Sequence, residues 1–133
     1  MKAQLIEKIL ERYPNQKKHV NTLFKDMLAF LWLSHEHARL RQKTPENKAL
    51  QFSMVMHTEM RLIDEMWHDF ILMTKDYMNF CHQHFGYYLH HQVNQRATQP
   101  DETTLIKESK LFFSFIYDKL GETILSRWFD SAA

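Results

Sequence analysis

Residues 63–91 read I-D-E-M-W-H-D-F-I-L-M-T-K-D-Y-M-N-F-C-H-Q-H-F-G-Y-Y-L-H-H, and the reading of this stretch decides the fold. Met60, Ile63, Met66, Trp67, Phe70 and Ile71 recur at three- and four-residue intervals, the period of one helix face. Thr74-Lys75-Asp76 carries a capping signal, which predicts a break near Met73 and a new helix after it. That second helix holds Tyr77, Phe80, Cys81, His84 and Phe85. Gly86 ends or bends it, because glycine tolerates left-handed backbone geometry.

Working outward, Leu5, Ile6, Ile9 and Leu10 predict a first helix that Pro14 terminates. Val20, Leu23, Phe24, Met27, Leu28 and Leu31 continue in helical spacing to about Leu40, which makes this the longest helix. His35 sits at the end of its apolar face, and His37 points elsewhere. Thr44-Pro45-Glu46 reads as an N-cap followed by proline at the first helical position, with a short helix or irregular stretch through Phe52. On the other side, residues 92–101 are polar and end in Pro100-Asp101, a connector. Leu105, Leu111, Phe112, Phe115, Ile116 and Leu120 predict a helix stopped by Gly121, and Ile124, Leu125, Trp128 and Phe129 a short last one. The expectation is an all-α protein, an irregular bundle of five or six helices forming a single domain over residues 1–133.

Composition agrees. Two glycines and three prolines in 133 residues leave little turn chemistry for an all-β fold. A formal net charge of +1 gives no electrostatic case for nucleic acid, although nine histidines make the balance pH-dependent. One cysteine excludes an intramolecular disulfide and suits a reducing, cytoplasmic compartment. The N-terminus reads as neither a signal peptide nor a membrane span, and the apolar run Met27–Leu33 is too short to cross a bilayer. No membrane is expected as a partner. A protein partner stays open.

The same 63–91 stretch holds five of the nine histidines and the only cysteine. Asp64 and Glu65 precede His68 by four and three residues. Glu65 and His68 form an E-x-x-H pair, the spacing that bundle di-iron enzymes use to converge carboxylate and imidazole on a metal. Those enzymes need a second such pair, and this chain has none. His35-Glu36-His37 is not H-E-x-x-H, and His57-Thr58-Glu59 lacks the paired cysteines of zinc deaminases. What remains is a loose set: Asp64, Glu65, His68, Cys81, His82, His84, His90 and His91. Three ligands from it would make an open mononuclear site for a divalent transition metal such as zinc or iron. The competing reading places Trp67 in the core, His68 in a hydrogen bond within the bundle, and His90-His91 exposed. Cys81 shares an apolar face with Tyr77 and Phe85, which points to a buried thiol rather than a nucleophile.

Asp64, Trp67-His68, Phe70-Ile71-Leu72, Thr74, Tyr77, Phe80-Cys81, Phe85-Gly86 and Leu89-His90-His91 together resemble a pattern of uncharacterised bacterial proteins similar to the domain of plant glycine-rich-domain proteins. Ile63 stands where valine is usual. Phe70 stands where the plant version often has a second histidine. The resemblance implies a shared site and names no reaction. It directs attention to Asp64, His68, Tyr77, Cys81, His90 and His91, and away from Glu65, His82 and His84.

The sequence therefore predicts that the Trp67-His68 helix and the Leu89-His90-His91 turn face each other. His68 would meet His90 or His91 on a divalent metal, with Asp64 orienting an imidazole. Two other functions stay open. One is a protein–protein interaction module with a structural histidine cluster. The other is a small hydrolase using His68 or Cys81.

Overall fold

The computed structural model describes residues 1–91 and 100–129. Six α-helices occur among the described residues, with no strand there: α1 Lys2–Arg12, α2 Val20–Lys43, α3 Arg61–Leu72, α4 Thr74–His84, α5 Glu102–Leu120 and α6 Glu122–Phe129. The expected all-α architecture is thus what the chain adopts. Short 3-10 turns sit at Pro14–Gln16, Lys48–Leu50 and Thr58–Met60. No helix among the described residues is long and apolar enough to cross a membrane.

The chain divides into two compact units, Met1–Leu31 with Met56–Leu89, and Trp32–Val55 with His90–Ala133. In the first, α1 packs on α3 and α3 on α4. Leu5 and Ile9 of α1, Met27 and Leu31 of α2, Met66 and Phe70 of α3, and Tyr77 and Cys81 of α4 are fully buried there. This is the burial that the apolar spacing predicted, and it supplies most of the stability of such helices. Phe70 meets Tyr77 edge-on, ring centroids 4.9 Å apart, and Phe30 packs against Trp67 at 5.8 Å. Each such aromatic pair contributes about 0.5–1.5 kcal/mol beyond the area it buries.

The second unit is built on the C-terminal half of α2, the Lys48–Leu50 turn, α5 and α6, with α5 packed against both α6 and that turn. Phe52, Phe112, Phe115, Ile116 and Trp128 are its buried apolar residues, together with Leu33 and Leu50. Asp101 caps α5 by accepting a hydrogen bond from the Thr104 amide at 2.8 Å, which holds the Asp101 carboxyl below its ordinary range.

Chain stops fall where the sequence placed them. α1 ends before Pro14. Gly86 and Gly121 take positive φ, +82° and +95°, and their amides close the ends of α4 and α5. The break between α3 and α4 is at Met73, but no side chain caps α4; the first residue of that helix is Thr74 itself. The expected cap at Thr44 is a correction. Its hydroxyl donates backwards to the Leu40 carbonyl at 2.9 Å, closing α2 rather than opening a new helix. Asn47 instead caps the Lys48–Leu50 turn by accepting from the Ala49 amide at 3.0 Å. His37, which the sequence set off the face that carries Leu31 and His35, is 5 % exposed. Most of the polar connector expected over 92–101 lies outside the described residues.

Candidate metal centre

Helix α3 presents three faces with three uses. Ile63, Met66, Trp67 and Phe70 turn into the core of the first unit. Glu65 and Asp69, four residues apart and hence on one side, face α1. Arg12 donates to Asp69 at 2.9 Å and lies 3.4 Å from Glu65, while the Tyr13 hydroxyl donates to Glu65 at 2.5 Å. That bond and the nearby carboxylate charge push the Tyr13 hydroxyl up from its ordinary range. Glu65 is therefore committed to holding the end of α1, which is why the E-x-x-H spacing with His68 produces no ligand pair.

Asp64 and His68 form the third face. His68 Nε2 lies 4.0 Å from Asp64 Oδ1, with the Asp64 side chain 26 % and the His68 side chain 54 % exposed. The His68 side chain is largely open to solvent and that of Asp64 partly so.

A buried relay ties α3 and α4 to Leu89 at the end of the unit. The Trp67 indole N–H donates to the Tyr77 hydroxyl at 3.0 Å, and the Tyr77 hydroxyl donates to the Leu89 carbonyl at 2.5 Å. Tyr77 is wholly buried. Burial pushes its hydroxyl far up from the ordinary tyrosine range; the Trp67 bond opposes this and a hydrogen bond with the Cys81 thiol adds to it. The hydroxyl thus keeps its proton and stays a donor. Leu89 is fixed at its carbonyl, and His90 and His91 follow by two covalent steps.

At that exit from the unit, Asp64, His68 and His91 each offer one ligand atom, and the three atoms lie within 4.8 Å of one another. Among the described residues they are the group of acidic, histidine or cysteine side chains close enough to share an ion. Asp64, one of the ligand candidates in the sequence, stands in this group with the two histidines. His90 is exposed and outside it, as are His82 and His84; the His84 ring packs on Phe80 at 4.5 Å. Cys81 is fully buried, sealed in the core beside Tyr77. Trp67 and Tyr77 belong to the relay and not to the solvent-facing surface.

The donor set fits a borderline divalent ion. Two imidazole nitrogens and one carboxylate oxygen are ligands for zinc or iron in open sites. Metal–ligand bonds of about 2.0–2.2 Å put tetrahedral donors about 3.4 Å apart, and the three atoms here lie within 4.8 Å of one another.

In the second unit, His37 does what no spacing argument foresaw. It is on the same side of α2 as Leu33, and its Nε2 donates to the Leu50 carbonyl at 3.1 Å. A carbonyl only accepts, so this nitrogen carries the proton. The ring packs on Phe52 at 4.3 Å and on the edge of Phe115 at 5.5 Å. Burial lowers its pKa, opposed by the Leu50 bond and assisted by Arg41.

A family model described as UCP032817-like matches residues 1–105, the segment that carries the whole Asp64, His68 and His91 group. No curated protein and no solved structure matches the chain significantly.

Proposed function

We propose that this chain, which belongs to the UCP032817-like family, holds a divalent transition metal, zinc or iron, on Asp64, His68 and His91. The observation that carries the reading is the approach of three ligand atoms of the right chemistry to within 4.8 Å. Two further features support it. The group faces solvent, so an ion bound there would keep open positions for water or a substrate oxygen, the arrangement of catalytic rather than structural sites. The carboxylate and histidines also fall at defined positions of the 63–91 pattern. Its likeness to plant glycine-rich-domain proteins is part of the same proposal.

A bound ion of this kind would act as a Lewis acid or lower the pKa of a coordinated water. The chain's own part would be to supply two imidazole nitrogens and one carboxylate oxygen, with Asp64 and His68 coming from α3. A second reading, an interaction module with a structural histidine cluster, draws on Leu72 and Met78, which are 73 % and 50 % exposed at the α3–α4 corner.

The test is a zinc titration of metal-free protein with three variants. Binding of one equivalent should be lost in His68→Ala and His91→Ala and kept in His19→Ala, which lies outside the group. Affinity should fall on acidification, because a metal ligand must give up its proton to bind. Equal binding by His68→Ala and His19→Ala rejects the site. If neither variant changes metal content but His68→Ala still unfolds more easily, the structural histidine reading stands instead.

A further inference from the structure

We propose that the second unit holds a small-molecule site for a zwitterion with an apolar side chain, the class of the free apolar amino acids. The site uses none of the residues of the metal group. The ligand would lie in a cleft of about 270 Å³ between one face of α5 and the end of α2 with the turn that follows it. Leu111, Ser114, Phe115, Asp118 and Lys119 recur along α5 with the period of one helix face and line one wall. Leu40 and Thr44 of α2, with the turn through Asn47 and Leu50, line the other. That turn is held from several sides. The His37 ring donates to the Leu50 carbonyl at 3.1 Å, the Gln51 side-chain amide donates to the Pro45 carbonyl at 2.9 Å, and the Ser53 amide donates to the Glu108 carboxylate of α5 at 3.3 Å. A ligand therefore meets a preformed cleft and need order little of the chain.

Chemistry divides the cleft into floor and rim. Leu50 and Phe115, 5 % and 6 % exposed, form an apolar floor with the half-buried Leu40 and Leu111. The Thr44 hydroxyl and the Asn47 side-chain oxygen serve the turn itself, bonded to the Leu40 carbonyl and the Ala49 amide. Exposed Asp118 and Lys119 bring one charge of each sign to the rim. Together these charges select a molecule that carries both an ammonium and a carboxylate, and the floor selects its side chain. Asp118 adds a second signal. It stands in the last turn of α5, where the helix dipole disfavours a carboxylate, and a ligand ammonium held there would offset that cost. A residue that works against its own helix is expected where it serves a site. The volume falls just below the range of about 300–1,000 Å³ typical of sites for drug-sized ligands, which suits a molecule the size of leucine.

The experiment titrates the full chain with L-leucine, glycine, isocaproate and isoamylamine, followed by backbone amide NMR shifts. Leucine carries both charges and the side chain; each of the other probes lacks one of the three. Leucine should bind saturably, with the largest shifts at the cleft residues, and about 10-fold or more tightly than glycine. Isocaproate and isoamylamine should each bind about 3-fold more weakly than leucine, the size expected of an exposed ion pair. Asp118→Asn should remove the preference for leucine over isocaproate, and Lys119→Gln the preference over isoamylamine. Both residues are exposed, so each variant should keep the parent's circular dichroism spectrum. Ser114→Trp, which fills the cleft from an exposed position, should abolish leucine binding. No saturable shift with leucine in the parent, shifts centred away from the cleft, or leucine binding that Ser114→Trp leaves unchanged overturns the site. Isocaproate or isoamylamine binding as tightly as leucine overturns the zwitterion assignment.

Discussion

Both units hold a loop by the same device and differ in its chemistry. In the first, the Tyr77 hydroxyl donates to the Leu89 carbonyl; in the second, the His37 ring donates to the Leu50 carbonyl. Each donor is buried among aromatic rings. Burial favours the neutral form in both, but the consequences are opposite. For tyrosine it raises the pKa, so the donor is unchanged throughout the neutral and acid range. For histidine it lowers the pKa, leaving a neutral donor whose unfolded counterpart gains a proton near neutrality. A buried donor is thus robust or acid-labile according to which form burial selects. The Leu89 carbonyl is held by the robust one.

The sharpest break in this comparison is at the shared indole of the first unit. Trp67 is 5 % exposed, packs on Phe30 and donates to Tyr77. Trp67→Ala should lower unfolding free energy by about 3–5 kcal/mol, read as a fall in the urea midpoint. A variant as stable as the parent would show that the relay is not buried.

Acid separates the two donors. Because the folded state holds the His37 pKa below its unfolded value near 6.5, the unfolded chain binds more protons as pH falls through that value. Stability therefore declines on acidification, by up to about 1.4 kcal/mol per pH unit per proton. Half-buried His57 in the first unit is lowered by the same cause and contributes in the same direction. His37→Gln keeps an N–H for Leu50 and removes the titration. Its stability-against-pH curve, measured metal-free between pH 7 and 5, should be flatter than the parent's by the His37 share. A curve of unchanged slope would contradict the burial of that ring.

The smallest expected effects are at the surface pairs. Arg12, 42 % exposed, bridges α1 to Asp69 and Glu65, whereas Arg39, 50 % exposed, pairs with Glu36 within α2. Arg12→Ala should cost about 1 kcal/mol and lose part of that at high salt; Arg39→Ala should cost at most about 0.5 kcal/mol. Chemical denaturation at two salt concentrations checks both, and a larger loss for Arg39 would reverse the assignment.

The parts legible in the sequence were those set by local chemistry. Pro14, Gly86 and Gly121 mark chain stops because their backbone geometry allows little else. The apolar periods found α1 to α6 because each helix buries one face. Reading failed where a residue serves distant partners. His37 escaped because α2 contributes to both units and so buries more than one stripe; following Leu31 to His35 traced one stripe, while Leu33 and His37 lie on another. Thr44 carried the right side chain for a cap, but its hydroxyl serves the helix before it. Arg12 with Asp69 could not be read, since 57 residues separate them. At the site, Asp64, His68 and His91 were legible as ligand types. Which of the candidate histidines group with Asp64 was not, because His68 and His91 are more than twenty residues apart in the chain.

Elemental analysis of protein purified without an affinity tag tests the central claim most directly. The account predicts about one equivalent of a single divalent transition metal per chain in the parent and in His90→Ala, and its loss in His91→Ala. Substoichiometric, mixed metals in the parent, or equal metal content in His90→Ala and His91→Ala, would contradict it.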